Sequence, residues 1–187
     1  MSLPVRVLVP LAAGFEEIEA VTVIDVLRRA DLEVIVAGLE PGPVRGSHGI
    51  EITPDKDLGA VDPASVHVLV LPGGMPGTTH LMQDERILEL VRHLCAAGRP
   101  VGAICAAPMV LAAAGVEQGL ELTSHPSVRE KLGGAQVLDS PRVVQSGGVT
   151  TSQGVGSALE FALDLVRQLR SRRVADELAR AMVVEGA

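Results

Sequence analysis

"VGAICAAPMV", residues 101–110, changes character halfway along. Up to Ile104 it reads as a buried β-strand, and from Ala106 it reads as a helix of small apolar residues. Cys105 stands at the junction, where alanine or valine would continue a core more safely. The run before it shows no polar alternation, so the strand must be covered on both faces. That is the situation of a parallel sheet with helices on either side.

Working outward, the same alternation repeats. "VRVLVPL" (5–11), "LEVIVAGL" (32–39), "VHVLVLPGG" (66–74) and "RPVGAIC" (99–105) read as strands. "EEIEAVTVIDVLRRA" (16–30), "DERILELVRHLCAAG" (84–98), "AAPMVLAAAG" (106–115) and "ALEFALDLVRQLR" (158–170) read as helices, with "SGGVTTSQG" (146–154) leading into the last. "PVRGSHGIEITPDKDL" (43–58) and "GAQVLDSPRVVQSGG" (134–148) read as short antiparallel strands or hairpins added to the sheet. The expectation is an α/β three-layer sandwich of the flavodoxin-like kind, mostly parallel, with helices on both faces. No repeat, linker or low-complexity tract divides residues 1–187, which read as a single domain. Ligand sites in such sheets gather beyond the carboxyl ends of the strands.

Composition narrows the function. Hydrophobic residues are 47% and charged residues 21% of the chain, a globular balance. The formal charge is −7 with no basic block, and Trp and Tyr are absent, so nucleic-acid binding is not expected. No apolar run approaches a membrane span, and "VRVLVPLAAG" reads as a first strand rather than a signal peptide, so a cytoplasmic protein is expected. Two cysteines ten residues apart make neither a disulfide framework nor a zinc pattern, and no metal or cofactor is expected.

Cys105 is the candidate nucleophile. A sharp strand-to-helix turn exposes its side chain and aims helical N–H groups at it, which favours the thiolate. Cys95, inside "ELVRHLCAAG", is assigned to packing. Gly73 and Gly74 close the strand of "LPGG"; with the amide of Ala106 they offer an oxyanion hole. Glu16, Glu17 and Glu19 occupy the first turn of a helix, where acids suit the dipole. A buried, protonated Glu19 would donate a hydrogen bond to the Cys105 thiolate. His125 in "TSHPSV" is the candidate proton carrier.

These motifs coincide with one family. "GFEEIEAVTVIDVLRRA", "VIVAGL", "VLVLPGG", "AICAAP", "TSHP", "TTSQG" and "EFALDLV" occur in its order, and "VADELARAMVV" resembles an extra C-terminal helix at about 173–184. The sequence resembles the ThiJ/PfpI superfamily, in the branch of the Parkinson-disease-associated protein deglycase and bacterial YajL. The resemblance implies that Cys105 is a reactive elbow cysteine with Glu19 as its carboxyl partner and His125 nearby. It implies backbone donors at Gly74 and Ala106, and Glu16 and Asp25 as supporting acids. It also implies a homodimer using the first helix, with Arg29 near the subunit boundary. The implied activity is cofactor-free conversion of small dicarbonyls, methylglyoxal or glyoxal, to hydroxy acids without glutathione, with possible deglycase activity. Glu19 or His125 would move the proton. The alternative is an oxidative-stress sensor or redox-regulated chaperone using the same cysteine. Branch members often carry arginine where this chain has His48 and Gln153, so a less cationic pocket is expected.

Overall fold

The computed structural model describes residues 5–184. In chain order the elements are β1 (Arg6–Leu11), α1 (Glu17–Arg29), β2 (Glu33–Gly38), β3 (Val44–Arg45), β4 (Glu51–Ile52) and β5 (Lys56–Asp57). There follow β6 (Val68–Leu71), α2 (Gly77–Gln83), α3 (Glu85–Ala96), β7 (Val101–Ile104), α4 (Pro108–Ala114), β8 (Glu121–Leu122) and β9 (Gln136–Val137). The chain closes with β10 (Val143–Ser146), β11 (Val149–Ser152), α5 (Ala158–Leu169) and α6 (Arg172–Ala181).

Seven strands form the central sheet in the order β10-β11-β7-β6-β1-β2-β5. All pairs are parallel except β10 with β11, as the continuous apolar runs predict. Alternate residues of each inner strand feed different cores. Val7, Val9, Val68 and Val70 pack with Val23, Leu27, Phe161 and Leu165 from α1 and α5, and α6 closes over α5. Leu8, Leu69, Leu71 and Val101 pack on the other face with Val91, Leu94, Val110 and Leu111 from α3 and α4. Both sides of the pleat are therefore dry, which is why these strands carry no polar alternation. The flavodoxin-like three-layer sandwich is the observed fold.

The short strands depart from expectation in detail. β3 and β4 pair antiparallel, apart from the main sheet, whereas β5 joins its edge parallel to β2. β8 and β9 pair parallel in a separate two-stranded piece. Two-residue pairings are set by loop contacts, so they leave no periodicity to read. α4 begins at Pro108 rather than Ala106, because Cys105–Ala107 are spent on the turn. The C-terminal helix expected at about 173–184 spans Arg172–Ala181, with Ser171 as its N-cap. Residues 1–4 and 185–187, the ends of the expected domain, lie outside the described residues. Among the described residues, no helix is long and apolar enough to cross a membrane.

Candidate active site

β7 delivers Cys105 to the carboxyl edge of the sheet and forces it into a left-handed backbone, φ +64. For a residue with a Cβ this costs about 1–2 kcal/mol, so neighbouring bonds must over-determine it. The Cys105 N–H donates to the Ser152 carbonyl at 2.9 Å, and the Cys105 carbonyl accepts from the His125 N–H at 2.8 Å. The elbow is thus pinned between β11 and the loop that carries His125. Cys105 is partly exposed, and the N–H groups of Ala106 and Gly74 are its backbone donors.

α1 presents Glu19 to the same point. Glu16 caps the helix, its Oε2 accepting from the Glu19 N–H at 2.7 Å, and Glu16 and Glu19 are both buried. Glu19 Oε2 accepts from the Gly73 N–H at 2.9 Å, while Oε1 has no hydrogen-bond partner among the described residues, and the carboxyl lies beside Cys105. Gly73 has to be glycine: a Cβ there would lie 2.7 Å from both Cys105 Cβ and Glu19 Oε2. Gly74 turns the chain at φ +90.

His125 is exposed at the mouth. Its Nδ1 is engaged by the Ser127 hydroxyl at 2.8 Å and the Ser127 N–H at 3.3 Å, which leaves the Nε2 edge free of those contacts. A methyl built on Gly154 would sit 3.7 Å from His125 Cδ2, 3.9 Å from Cys105 Sγ and 3.9 Å from Glu19 Oε1. That missing methyl marks the centre of the site, where three residues from distant parts of the sequence converge.

Burial lifts the Glu19 carboxyl to about 7, assisted by the Glu16 charge and opposed by the Gly73 N–H and the Cys105 thiol. Burial, then the Glu19 charge and hydrogen bond, push the Cys105 thiol up to about 12 against the N–H groups of Ala106 and Gly74. Burial and the Glu19 charge thus act against the expected thiolate, while the two backbone N–H groups act for it. The anionic sulfur belongs to the state in which Glu19 holds the proton, so thiol and acid titrate as one pair.

Other expected residues fall elsewhere. Asp25 is not brought to this cluster: it lies exposed on α1, paired with Arg29 at 2.7 Å, because helical periodicity turns it away from Glu19. His48 is exposed, and its backbone N–H donates to Glu17 Oε1 at 2.7 Å. Burial works against the Glu17 carboxylate, yet donors from residues 47–50 hold it down at about 2. Glu16, Glu17 and His48 bring ligand-type atoms within 4.8 Å, but both Glu17 oxygens already serve that loop. Gln153 is turned to the backbone: its Nε2 donates to the Asp139 and Pro141 carbonyls at 3.0 and 2.9 Å. Arg142 lines a cleft with His125 and Gly154, and the sequence reading missed it: within "SPRVVQ" it reads as an ordinary solvated residue.

Fold and elbow together define a flavodoxin-like α/β protein with a strand-end cysteine beside a buried carboxyl. The chain belongs to the DJ-1/PfpI family, whose model matches residues 5–168. It is 40% identical over 179 residues to the dj-1beta protein of Drosophila melanogaster, covering 95% of this chain and 96% of that one. It is 38% identical over 169 residues to the glutathione-independent glyoxalase DJR-1.2 of Caenorhabditis elegans, covering 89% of each. The crystal structure of Drosophila melanogaster DJ-1beta superposes with a TM-score of 0.94 at 39% identity, covering 97% of this chain and 99% of that one.

Proposed function

We propose that this protein is a cofactor-free glyoxalase, converting methylglyoxal or glyoxal to the corresponding hydroxy acid without glutathione. The observation that carries the reading is the convergence of Cys105, Glu19 and His125 around one small space bordered by backbone donors. The 38% identity to a relative named a glutathione-independent glyoxalase supports it. The Cys105 sulfur adds to the aldehyde carbon, Glu19 takes the thiol proton, and a hemithioacetal forms. A carboxyl poised near neutrality suits that exchange, since it both accepts and returns a proton at working pH. The proton on the former aldehyde carbon is then moved to the adjacent carbonyl carbon, through an enediolate that the Gly74 and Ala106 N–H groups steady. This leaves a thioester on Cys105, which water cleaves to the hydroxy acid and the free thiol. We assign the base to Glu19, which is buried beside the sulfur, and a relay to solvent to His125, which is exposed. Deglycation of early adducts would use the same covalent capture.

A cytoplasmic homodimer fits this reading. Ile18 and Val21 are 57% and 48% exposed on α1, near Asp25 and Arg29, an apolar face that a second copy would cover. The second reading, oxidation of Cys105 as a stress signal, is favoured by its partial exposure beside a carboxyl that would hydrogen-bond a sulfinate.

The test is lactate formation from methylglyoxal by purified protein, beside Cys105→Ser and Glu19→Gln. Turnover should fall by at least about a hundredfold in each variant. Wild-type turnover equal to that of Cys105→Ser would remove the reading.

A further inference from the structure

A cleft of about 230 Å3 is lined by His125, Gln153, Gly154, Val155 and Arg142, and two of these, His125 and Gly154, also border Cys105. Arg142 is its one permanently charged lining residue, its backbone is anchored, and its guanidinium makes two hydrogen bonds. Its carbonyl accepts from the Ser152 hydroxyl at 2.7 Å, and Gln153 clamps the two carbonyls at Asp139 and Pro141 just before it. Its Nε donates to Glu160 at 2.8 Å, and its Nη2 donates to the Gly156 carbonyl. The Ser152 hydroxyl also meets the Ser157 hydroxyl at 2.7 Å, and Ser157 in turn binds both the N–H and the carbonyl of Gly154. Arg142 and Gly154 therefore belong to one hydrogen-bonded unit, and Gly154 is the residue that borders the sulfur. Among the described residues, Arg142 Nη1 has no hydrogen-bond partner.

A guanidinium with its Nη1 unengaged presents planar donors to a carboxylate. Glu160 does not cancel it, because both partners of that pair are half-exposed and solvent screens them. The proposed reaction turns an uncharged dicarbonyl into a hydroxy-acid anion. A cation at the mouth acts on that difference: it attracts the product and is indifferent to the substrate.

We propose that Arg142 is the carboxylate-recognising, specificity-determining residue of the cleft: it binds the hydroxy-acid anion and leaves capture of the neutral dicarbonyl almost unaffected. The identity of the acid rests on the glyoxalase reading; recognition of a carboxylate beside Cys105 does not.

The experiment alkylates Cys105 in the intact protein with iodoacetate and, separately, iodoacetamide. These reagents place a carboxylate or an uncharged amide on the carbon that the sulfur attacks. The ratio of the iodoacetate to the iodoacetamide rate should fall about tenfold in Arg142→Gln, in line with loss of a charge-assisted contact, and should largely recover in Arg142→Lys. In parallel, inhibition of methylglyoxal turnover by added lactate should weaken by a similar factor in Arg142→Gln, with KM changed less than about twofold. An unchanged rate ratio in Arg142→Gln, or an equal fall in both alkylation rates, overturns the proposal. If the wild type makes no lactate, the glyoxalase reading fails, while the alkylation ratio still decides the role of Arg142.

Discussion

Cys105, on the edge of the α1–α5 core layer, and Cys95, on the edge of the α3–α4 core layer, are both partly buried thiols, and burial raises both. Around Cys95 burial is the whole story: it sits in the last turn of α3, packed against that layer's apolar residues. Cys105 differs in three ways. Its backbone is held left-handed, two N–H groups face its sulfur, and a buried carboxyl that titrates near neutrality lies beside it. The contrast teaches that partial exposure alone does not distinguish the thiol to which the proposed reaction is assigned. A neighbour able to take its proton does.

The largest test of that contrast is activity. Cys105→Ser should abolish lactate formation from methylglyoxal, whereas Cys95→Ser should leave it within about twofold, as expected of a substitution far from the reacting atoms. Comparable losses in the two variants would erase the distinction.

The second is the stability consequence of burying Glu19. Its folded value of about 7 lies above the ordinary 4.5, so the folded state holds the proton more tightly than the unfolded chain does. The stabilisation this brings is fully present below pH 4.5 and lost as pH rises through 7. Relative to wild type, Glu19→Gln should therefore gain stability between pH 4.5 and 8, by up to about 3 kcal/mol from a shift of this size, measured by urea unfolding. An identical pH profile in the two proteins would show that Glu19 is not held in this way.

A smaller effect concerns the glycine that lets acid and thiol approach. Gly73→Ala puts a methyl against Cys105 Cβ and Glu19 Oε2. It should cost about 1–3 kcal/mol by overpacking and slow Cys105 alkylation, leaving that of Cys95 unchanged. The smallest effect is expected of Cys95→Ala, about 1 kcal/mol or less for loss of a half-buried sulfur.

Much of this was legible in the sequence, for physical reasons. "VGAI" and "VLVL" lack polar alternation because both sides of the sheet are dry, and that alone points to the layered fold. The elbow showed because a thiol interrupts a run where any small apolar residue would serve. His125 and Glu19 entered as candidates, but only the family resemblance joined them to Cys105, since their meeting depends on β-strand order. Asp25 came only from the resemblance, and within one chain it stays on the exposed face of α1 with Arg29. Arg142 went unseen because its significance lies in bonds to Ser152, Gly156 and Glu160, none of which a local pattern reveals. The balance at Cys105 was only half legible, because dipoles can be read from a strand-to-helix junction but the depth of burial that opposes them cannot.

The central claim, that Cys105 and Glu19 share one proton near neutrality, is tested most directly by the pH dependence of Cys105 alkylation with iodoacetamide. The rate should climb through a step near pH 7, set by the pair, and then stay level up to about pH 10; in Glu19→Gln that step should vanish. A single step near the ordinary thiol value, the same in wild type and Glu19→Gln, would contradict the account.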